Sequence, residues 1–208
     1  MKKLSILLVV GLLSVGCSSK PSEDQEVVVK NEDKEHIIEV SDSSEKSWVY
    51  DVHDIQETIH RHDVLVRVKI LSIPELSYFV DSFMPMNDLV VEVLDVYKGD
   101  IEQGERDLKV NGGKVRLSDA IEAYGPEASE KYNWLNQEDP ENTYLDFEED
   151  PLLDFKVGDE YVMALFYDET KDEMILGTAS YAVFNGVEDE DTLTLTNIKT
   201  NNSLTITP

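Results

Sequence analysis

The amino-acid sequence predicts a mainly β protein, a small antiparallel barrel or sandwich, and three observations carry that prediction. First, alternating β-branched runs recur: Val64-Leu65-Val66-Arg67-Val68-Lys69-Ile70, Leu89-Val90-Val91-Glu92-Val93 and Glu160-Tyr161-Val162-Met163-Ala164-Leu165. A period of two with Val and Ile marks strands. Second, turn chemistry separates the runs, as at Lys98-Gly99-Asp100 and the polar stretch from Asp168 to Glu173. Third, helical spacing is confined to short stretches. Many short strands with few helices is the pattern of a sheet closed or packed on itself.

Each element follows in chain order. Asp54-Ile55-Gln56-Glu57-Thr58-Ile59 opens a short helix, with Asp54 as N-cap and Glu57 three residues on. Ile55 and Ile59 share one face, and the helix ends near His62. A strand runs from Asp63 to Leu71, and Pro74 and Pro85 punctuate the loop after it. The next strand, Leu89 to Tyr97, loses its alternation between Val93 and Val96, which predicts a β-bulge that helps a sheet curl. A short strand covers Leu108-Lys109-Val110. Residues 113–154 read as an insertion over one end of the sheet, with helical fragments around 120–124 and 127–134 and acidic loops. Strands return at 160–167, 174–176 and 181–184, and the tail, 192–196 and 204–207, forms a final hairpin around Asn201-Asn202.

The start of the chain has a different character. Met1-Lys2-Lys3 is basic, Leu4 to Val15 is apolar except for Ser5, Gly11 and Ser14, and small residues lead to Cys17. That order describes a secretory signal peptide over residues 1–16. The apolar run is well short of the ~20 residues a membrane-crossing helix needs. Leu13-Ser14-Val15-Gly16-Cys17 resembles the lipobox of bacterial lipoproteins, with Ser14 where Leu is usual. The resemblance implies a diacylglyceryl group on the Cys17 thiol and attachment to the extracytoplasmic face of a membrane. Two acyl chains hold stably where one does not.

Composition sets further bounds. Losing Lys2 and Lys3 with the leader leaves 16 basic and 44 acidic residues, a net charge of −28. Such a balance excludes nucleic acid as a partner, since that role needs clustered Lys and Arg. It repels an anionic membrane surface, so the lipid would hold a domain whose charge favours standing off. Cys17 is the sole cysteine, so no disulfide staples the fold and thiol catalysis is excluded. Residues 18–47 are polar and acidic apart from Val27-Val28-Val29 and Ile37-Ile38, and read as a disordered tether. As a flexible coil it would span on the order of 30 Å. The folded domain then occupies residues 48–208.

Three segments together, Asp63-Val64-Leu65-Val66-Arg67-Val68, Val91-Glu92-Val93-Leu94-Asp95-Val96-Tyr97-Lys98-Gly99-Asp100 and Phe155-Lys156-Val157-Gly158-Asp159-Glu160-Tyr161-Val162, resemble a group of poorly characterised lipoproteins of Gram-positive bacteria. The order is also similar to the OB-like barrel of netrin and tissue-inhibitor modules, where a strand ends in a Lys-Gly turn. The resemblance covers roughly residues 50–186 and implies an OB-like barrel. It brings no catalytic residues.

Candidate chemistry is sparse. The sequence contains no Gly-rich phosphate loop, no Gly-x-Ser-x-Gly and no His-Glu-x-x-His. His53, His60 and His62 form the one histidine cluster, and on a helix His53 and His60 would share a face. With Asp54 or Asp63 they are a candidate metal site; a polar helix end is the alternative. Asp139, Glu141, Asp146, Glu148, Glu149 and Asp150 offer oxygen ligands for weak Ca²⁺ binding without the spacing of an EF-hand. Tyr132, Trp134, Tyr144 and Phe147 lie within the insertion and are a candidate ligand groove, or else pack the insertion onto the barrel.

The expectation is therefore a monomeric, membrane-anchored extracytoplasmic binding or interaction module, non-enzymatic, with an unknown extracellular or cell-wall ligand. A metal-binding protein or metal-dependent hydrolase using His53 and His60, and a structural envelope lipoprotein, stay open as alternatives.

Overall fold

The structure is a computed structural model that describes residues 25–32, 35–42, 49–79, 84–125, 139–148 and 153–207. The signal peptide, Cys17, Tyr132 and Trp134 lie outside them. Among the described residues the strands fall into two sheets.

The larger sheet contains a closed barrel of five strands. These are β3 (Val64–Ser72), β5 (Pro85–Lys98), β6 (Gly104–Asn111), β9 (Glu160–Asp168) and β10 (Glu173–Leu176). β3 pairs with β5 and β9, β5 with β6, and β10 joins β6 to β9. All joins are antiparallel except β6 with β10. The ring leaves no barrel strand with an open edge. Its core draws on Val66, Val68, Ile70, Val91, Val93, Leu108, Met163 and Met174, all at most 1% exposed.

The expected bulge is present. Val68 pairs with Val93 and Arg67 with Asp95, so Leu94 is skipped; a second shift skips Tyr97. Extra residues bend a strand and sharpen its twist, which lets the long β5 wrap from the small strand β4 (Tyr78–Phe79) to β3. Past β9 the sheet continues through β11 (Val183–Asp189), β12 (Thr192–Asn197) and β13 (Ser203–Ile206). Tyr181 and Ala182, expected in a strand, belong to a 3-10 turn over Ala179–Ala182, and the strand begins at Val183.

Helix α1 (Ile55–Arg61) is capped as its sequence predicts. Asp54 Oδ1 accepts from the backbone N–H of Gln56 at 2.8 Å and of Glu57 at 3.2 Å. The other end is held from the barrel: Lys98 Nζ donates to the carbonyls of Ile59 (2.7 Å), His60 (3.2 Å) and His62 (2.5 Å). An ammonium at a helix C-terminus satisfies orphan carbonyls and complements the dipole. The next residue, Gly99, has φ +93°, and a Cβ there would lie 2.7 Å from Val64 Cγ1 and 2.8 Å from Asp63 O. The Lys-Gly turn thus has two physical tasks, a cap and a close backbone crossing.

The second sheet corrects the tether and the insertion. Its order is β1 (Gln25–Glu32), β2 (Glu35–Asp42), β8 (Thr143–Glu148), β7 (Gly113–Arg116). Residues 25–32 and 35–42 are strands, although the stretch reads as disordered. The reason is non-local. β2 runs parallel to β8, and Ile38 and Val40 are buried against Val115, Leu117, Leu145 and Phe147. Composition measured what the segment can bury alone, and the burial comes from a strand far later in the chain. The insertion is accordingly more than a helical lid. Helix α2 (Leu117–Tyr124) matches the first expected fragment; residues 127–134 lie outside the described residues.

Candidate functional site

The histidines are not brought together. α1 begins at Ile55, so His53 sits in the turn before it, and the shared helix face does not exist. His53 stands edge-on to Tyr181, centroids 5.1 Å apart. His60 is exposed on α1. His62 is 1% exposed and stacks on Phe166 at 4.4 Å. Its Nδ1 lies 2.7 Å from the Thr58 carbonyl, which only accepts, so Nδ1 carries the proton. Nε2 then accepts from the Thr178 hydroxyl at 3.2 Å. Burial pushes the His62 pKa down, and the Lys98 charge adds to that. His62 is a neutral, doubly bonded core residue. Among the described residues no group of three His, Cys, Asp or Glu is placed to hold a metal ion.

Of the candidate aromatic groove, Tyr144 and Phe147 are described. Both lie on β8, three residues apart, and odd spacing on a strand sends side chains to opposite faces. Tyr144 lies under the Lys114 ammonium, 4.9 Å from the ring centroid. Phe147 is buried edge-on to Phe79, centroids 6.0 Å apart. Among the acidic candidates, Asp139 is turned inward on its own loop, accepting from Glu141 N (3.2 Å) and Asn142 Nδ2 (2.6 Å).

What the fold does build is a cleft of about 480 Å³ where the barrel mouth meets the second sheet. That size falls within the range of small-ligand sites, and barrel mouths are a usual place for them. One wall comes from the barrel: Ile73 beyond β3, Asn87 and Leu89 on β5, Val110 and Asn111 on β6. The opposite wall comes from Glu39 on β2 and from Asp146 and Phe147 on β8. Leu153, Asp154 and Phe155, which lead into β9, complete it. Phe155 is braced edge-on by Tyr161, centroids 5.5 Å apart.

The joint between barrel and sheet explains why a cleft exists. Gly112 N donates to Pro85 O at 2.8 Å, and Ser77 N to Lys114 O at 2.7 Å. Gly113 has φ +96°, and a Cβ on it would fall 2.1 Å from Ser77 Oγ and 3.3 Å from Asn87 Nδ2. Only a residue without a side chain lets β6 turn directly into β7 here, so the second sheet folds back beside the mouth.

Asn87 is the residue that sequence reasoning missed. On β5, Leu89, Val91 and Val93 form a buried row at period two, and Asn87 continues that row into the mouth. It is a polar side chain at an inward register position, and its Oδ1 is shielded with no hydrogen-bond partner. The legible signal was a polar interruption of an apolar alternation. The neighbouring Asp88 points to the other face and is tied up there: it accepts from Tyr78 Oη at 2.6 Å and Lys109 Nζ at 3.2 Å. Lys109 also lies 3.5 Å from Glu173, and its pKa is raised, chiefly by the Tyr78 hydrogen bond. That cluster laces β4, β5, β6 and β10 on the outside of the barrel.

Compared with protein-family models, curated proteins and solved structures, the chain matches none of them.

Proposed function

We propose that this chain is a lipid-anchored extracytoplasmic binding protein that receives a small ligand in the cleft between the barrel mouth and the second sheet. The anchor reading rests on the sequence from Met1 to Cys17. The observation that carries the binding reading is the cleft itself: about 480 Å³, apolar along Leu89, Val110 and Phe147, with the amide of Asn87 on its wall. Apolar walls with a few convergent polar groups are what small-ligand sites share. Among the described lining residues there is no Ser, Cys, His or Lys, and the chemistry proposed for the cleft is recognition.

Two measurements test this. In a bacterial host fed an alkyne-bearing fatty acid, the wild-type chain takes up label and Cys17→Ser does not; equal labelling of both sinks the anchor. A fragment mixture titrated onto isotope-labelled protein shifts the amide resonances of Asn87, Asn111 and Gly113 together. Shifts confined to other surfaces would remove the cleft as the site.

A further inference from the structure

The strand order of the larger sheet ends at β13, because β10 at the other end pairs back onto β9 and closes the barrel. β13 pairs with β12 through Ser203 with Thr196, Leu204 with Leu195, Thr205 with Thr194 and Ile206 with Leu193. Asn197 N donates to Asn202 O at 2.9 Å, so Asn197 and Asn202 are a hydrogen-bonded pair. Bonded and unbonded pairs alternate along an antiparallel ladder. Leu204 and Ile206 therefore bond to β12, while the N–H and C=O of Ser203 and Thr205 point outward. The side chains agree. The Thr194 and Thr205 hydroxyls meet at 3.0 Å and those of Thr196 and Ser203 at 2.9 Å, and side chains stand closest in unbonded pairs. Ser203 and Thr205 are exposed, and among the described residues no strand pairs with this edge.

Open edges template pairing and are usually guarded by charge, bulges or proline. The second sheet follows that rule: its outer strands carry Glu26, Lys30 and Glu32 on β1 and Lys114 and Arg116 on β7. β13 carries no charge. From Thr192 to Pro208 the only charged residue is Lys199, in a chain of which 30% is charged. The one guard on β13 is its length of four residues. We infer that this edge pairs with β13 of a second copy, antiparallel about a two-fold axis through Leu204. Two chains of net charge −26 repel over most of their surface, and a neutral edge is where they approach. The edge is also self-complementary. Ser203 of each copy meets Thr205 of the other, so every outward N–H and C=O of these residues gains a partner, and Leu204 meets its own copy. The same pairing sets the Lys199 turn of each copy at the same end as the acidic Glu190-Asp191 turn of the other. A contact this short falls below the ~800 Å² per partner of a stable interface, so it is weak in free solution. Confinement to one membrane strengthens it, a step that rests on the anchor proposed above.

The test uses the full chain. Leu204→Cys combined with Cys17→Ser leaves a single thiol on the axis, where an unbonded pair holds its Cα atoms about 4.5 Å apart, within the span of a disulfide. Under a mild oxidant at high concentration it forms a covalent dimer at least tenfold faster than Thr194→Cys in the same background. Thr194 lies one strand in from the edge and is half-buried like Leu204, so collision favours neither. Thr205→Pro removes an outward N–H and spares the β12 ladder, an orientation in which edge strands accept proline. Added to Leu204→Cys, it brings the rate down to that of Thr194→Cys. Thr205→Glu, which sets like charges across the axis, does the same without a proline. With Cys17 intact in a bacterial host, Leu204→Cys gives a larger dimer fraction than the soluble form. Equal crosslinking of Leu204→Cys and Thr194→Cys, in solution and in the host, overturns the edge pairing. Crosslinking at Leu204→Cys in solution that gains nothing in the host leaves the interface standing and counts against the anchor.

Discussion

His62 Nε2 accepts a hydrogen bond from the hydroxyl of Thr178, 3.2 Å away and 116 residues later in the chain. The bond ties the end of α1 to the 3-10 turn, with Phe166 of β9 stacked on the ring. It requires a neutral imidazole, because Nδ1–H already serves the Thr58 carbonyl. Protonation would put a second N–H against Thr178 and a charge in the core, where Lys98 is the nearby cation and Asp63 the nearby anion. The folded-state pKa is lowered, so below about pH 6.5, the ordinary histidine value, the unfolded chain binds a proton that the native state refuses. Stability is full above that pH and falls as the pH drops through it toward the folded value. Chemical denaturation between pH 7.5 and 5 should show this decline, and His62→Gln should flatten it. An unchanged slope in the variant would remove His62 as its source.

Lys98 and Gly99 act on the same joint by different means. Lys98→Met removes three hydrogen bonds to α1 carbonyls while keeping the aliphatic stem, and should cost about 1–3 kcal/mol. Gly99→Ala meets the Val64 side chain and the Asp63 carbonyl at a positive φ, and should cost about 1–3 kcal/mol through strain. Urea midpoints measure both. A midpoint within error of wild type for either would show that the joint relaxes freely.

Asn197 is 1% exposed and ties the final hairpin to the 3-10 turn and the start of β11. Its Nδ2 donates to the carbonyls of Ser180 (3.0 Å), Tyr181 (2.9 Å) and Val183 (3.2 Å), and its Oδ1 accepts from the backbone N–H of Lys199 and Thr200. Asn197→Ala leaves those buried groups unpaired, at about 1–3 kcal/mol for each one stranded. Asn197→Asp keeps the acceptor and loses the donors. Both variants should therefore drop the thermal midpoint, and an Asp variant as stable as wild type would contradict the network.

Ile38 is 1% exposed in the small core of the second sheet. Ile38→Ala should cost about 2–5 kcal/mol there, but the barrel closes without β2. Hydrogen exchange should therefore accelerate in β2, β7 and β8 and stay slow in β3, β5 and β9. Uniform acceleration would mean that the two sheets unfold as one unit.

The parts of the fold legible in the sequence are those set by near neighbours. Alternation in Val64 to Ile70 marks a strand because successive side chains point to opposite faces whatever the strand pairs with. Asp54 caps α1 because its carboxylate reaches N–H groups two and three residues on. The slip between Val93 and Val96 reads as a bulge because the lost alternation is itself the extra residue.

The candidate site was legible only in fragments. Phe147 reaches the cleft, while Tyr144, three residues earlier on the same strand, faces the other way. His53, His60 and His62 are close in sequence, yet the helix start at Ile55 and the burial of His62 separate them.

By itself, the sequence determined the barrel strands, the capped helix, the Lys98-Gly99 turn and the acidic charge of the chain. Only the tertiary structure decided that residues 35–42 are a strand, that the chain after Gly113 folds back beside the barrel mouth, and that Asn87 faces a cleft. The physical reason is range. Alternation, capping and turn chemistry act over a few residues. The burial that turns an acidic stretch into a strand, or opens a cleft between two sheets, depends on partners that meet only when the chain is folded.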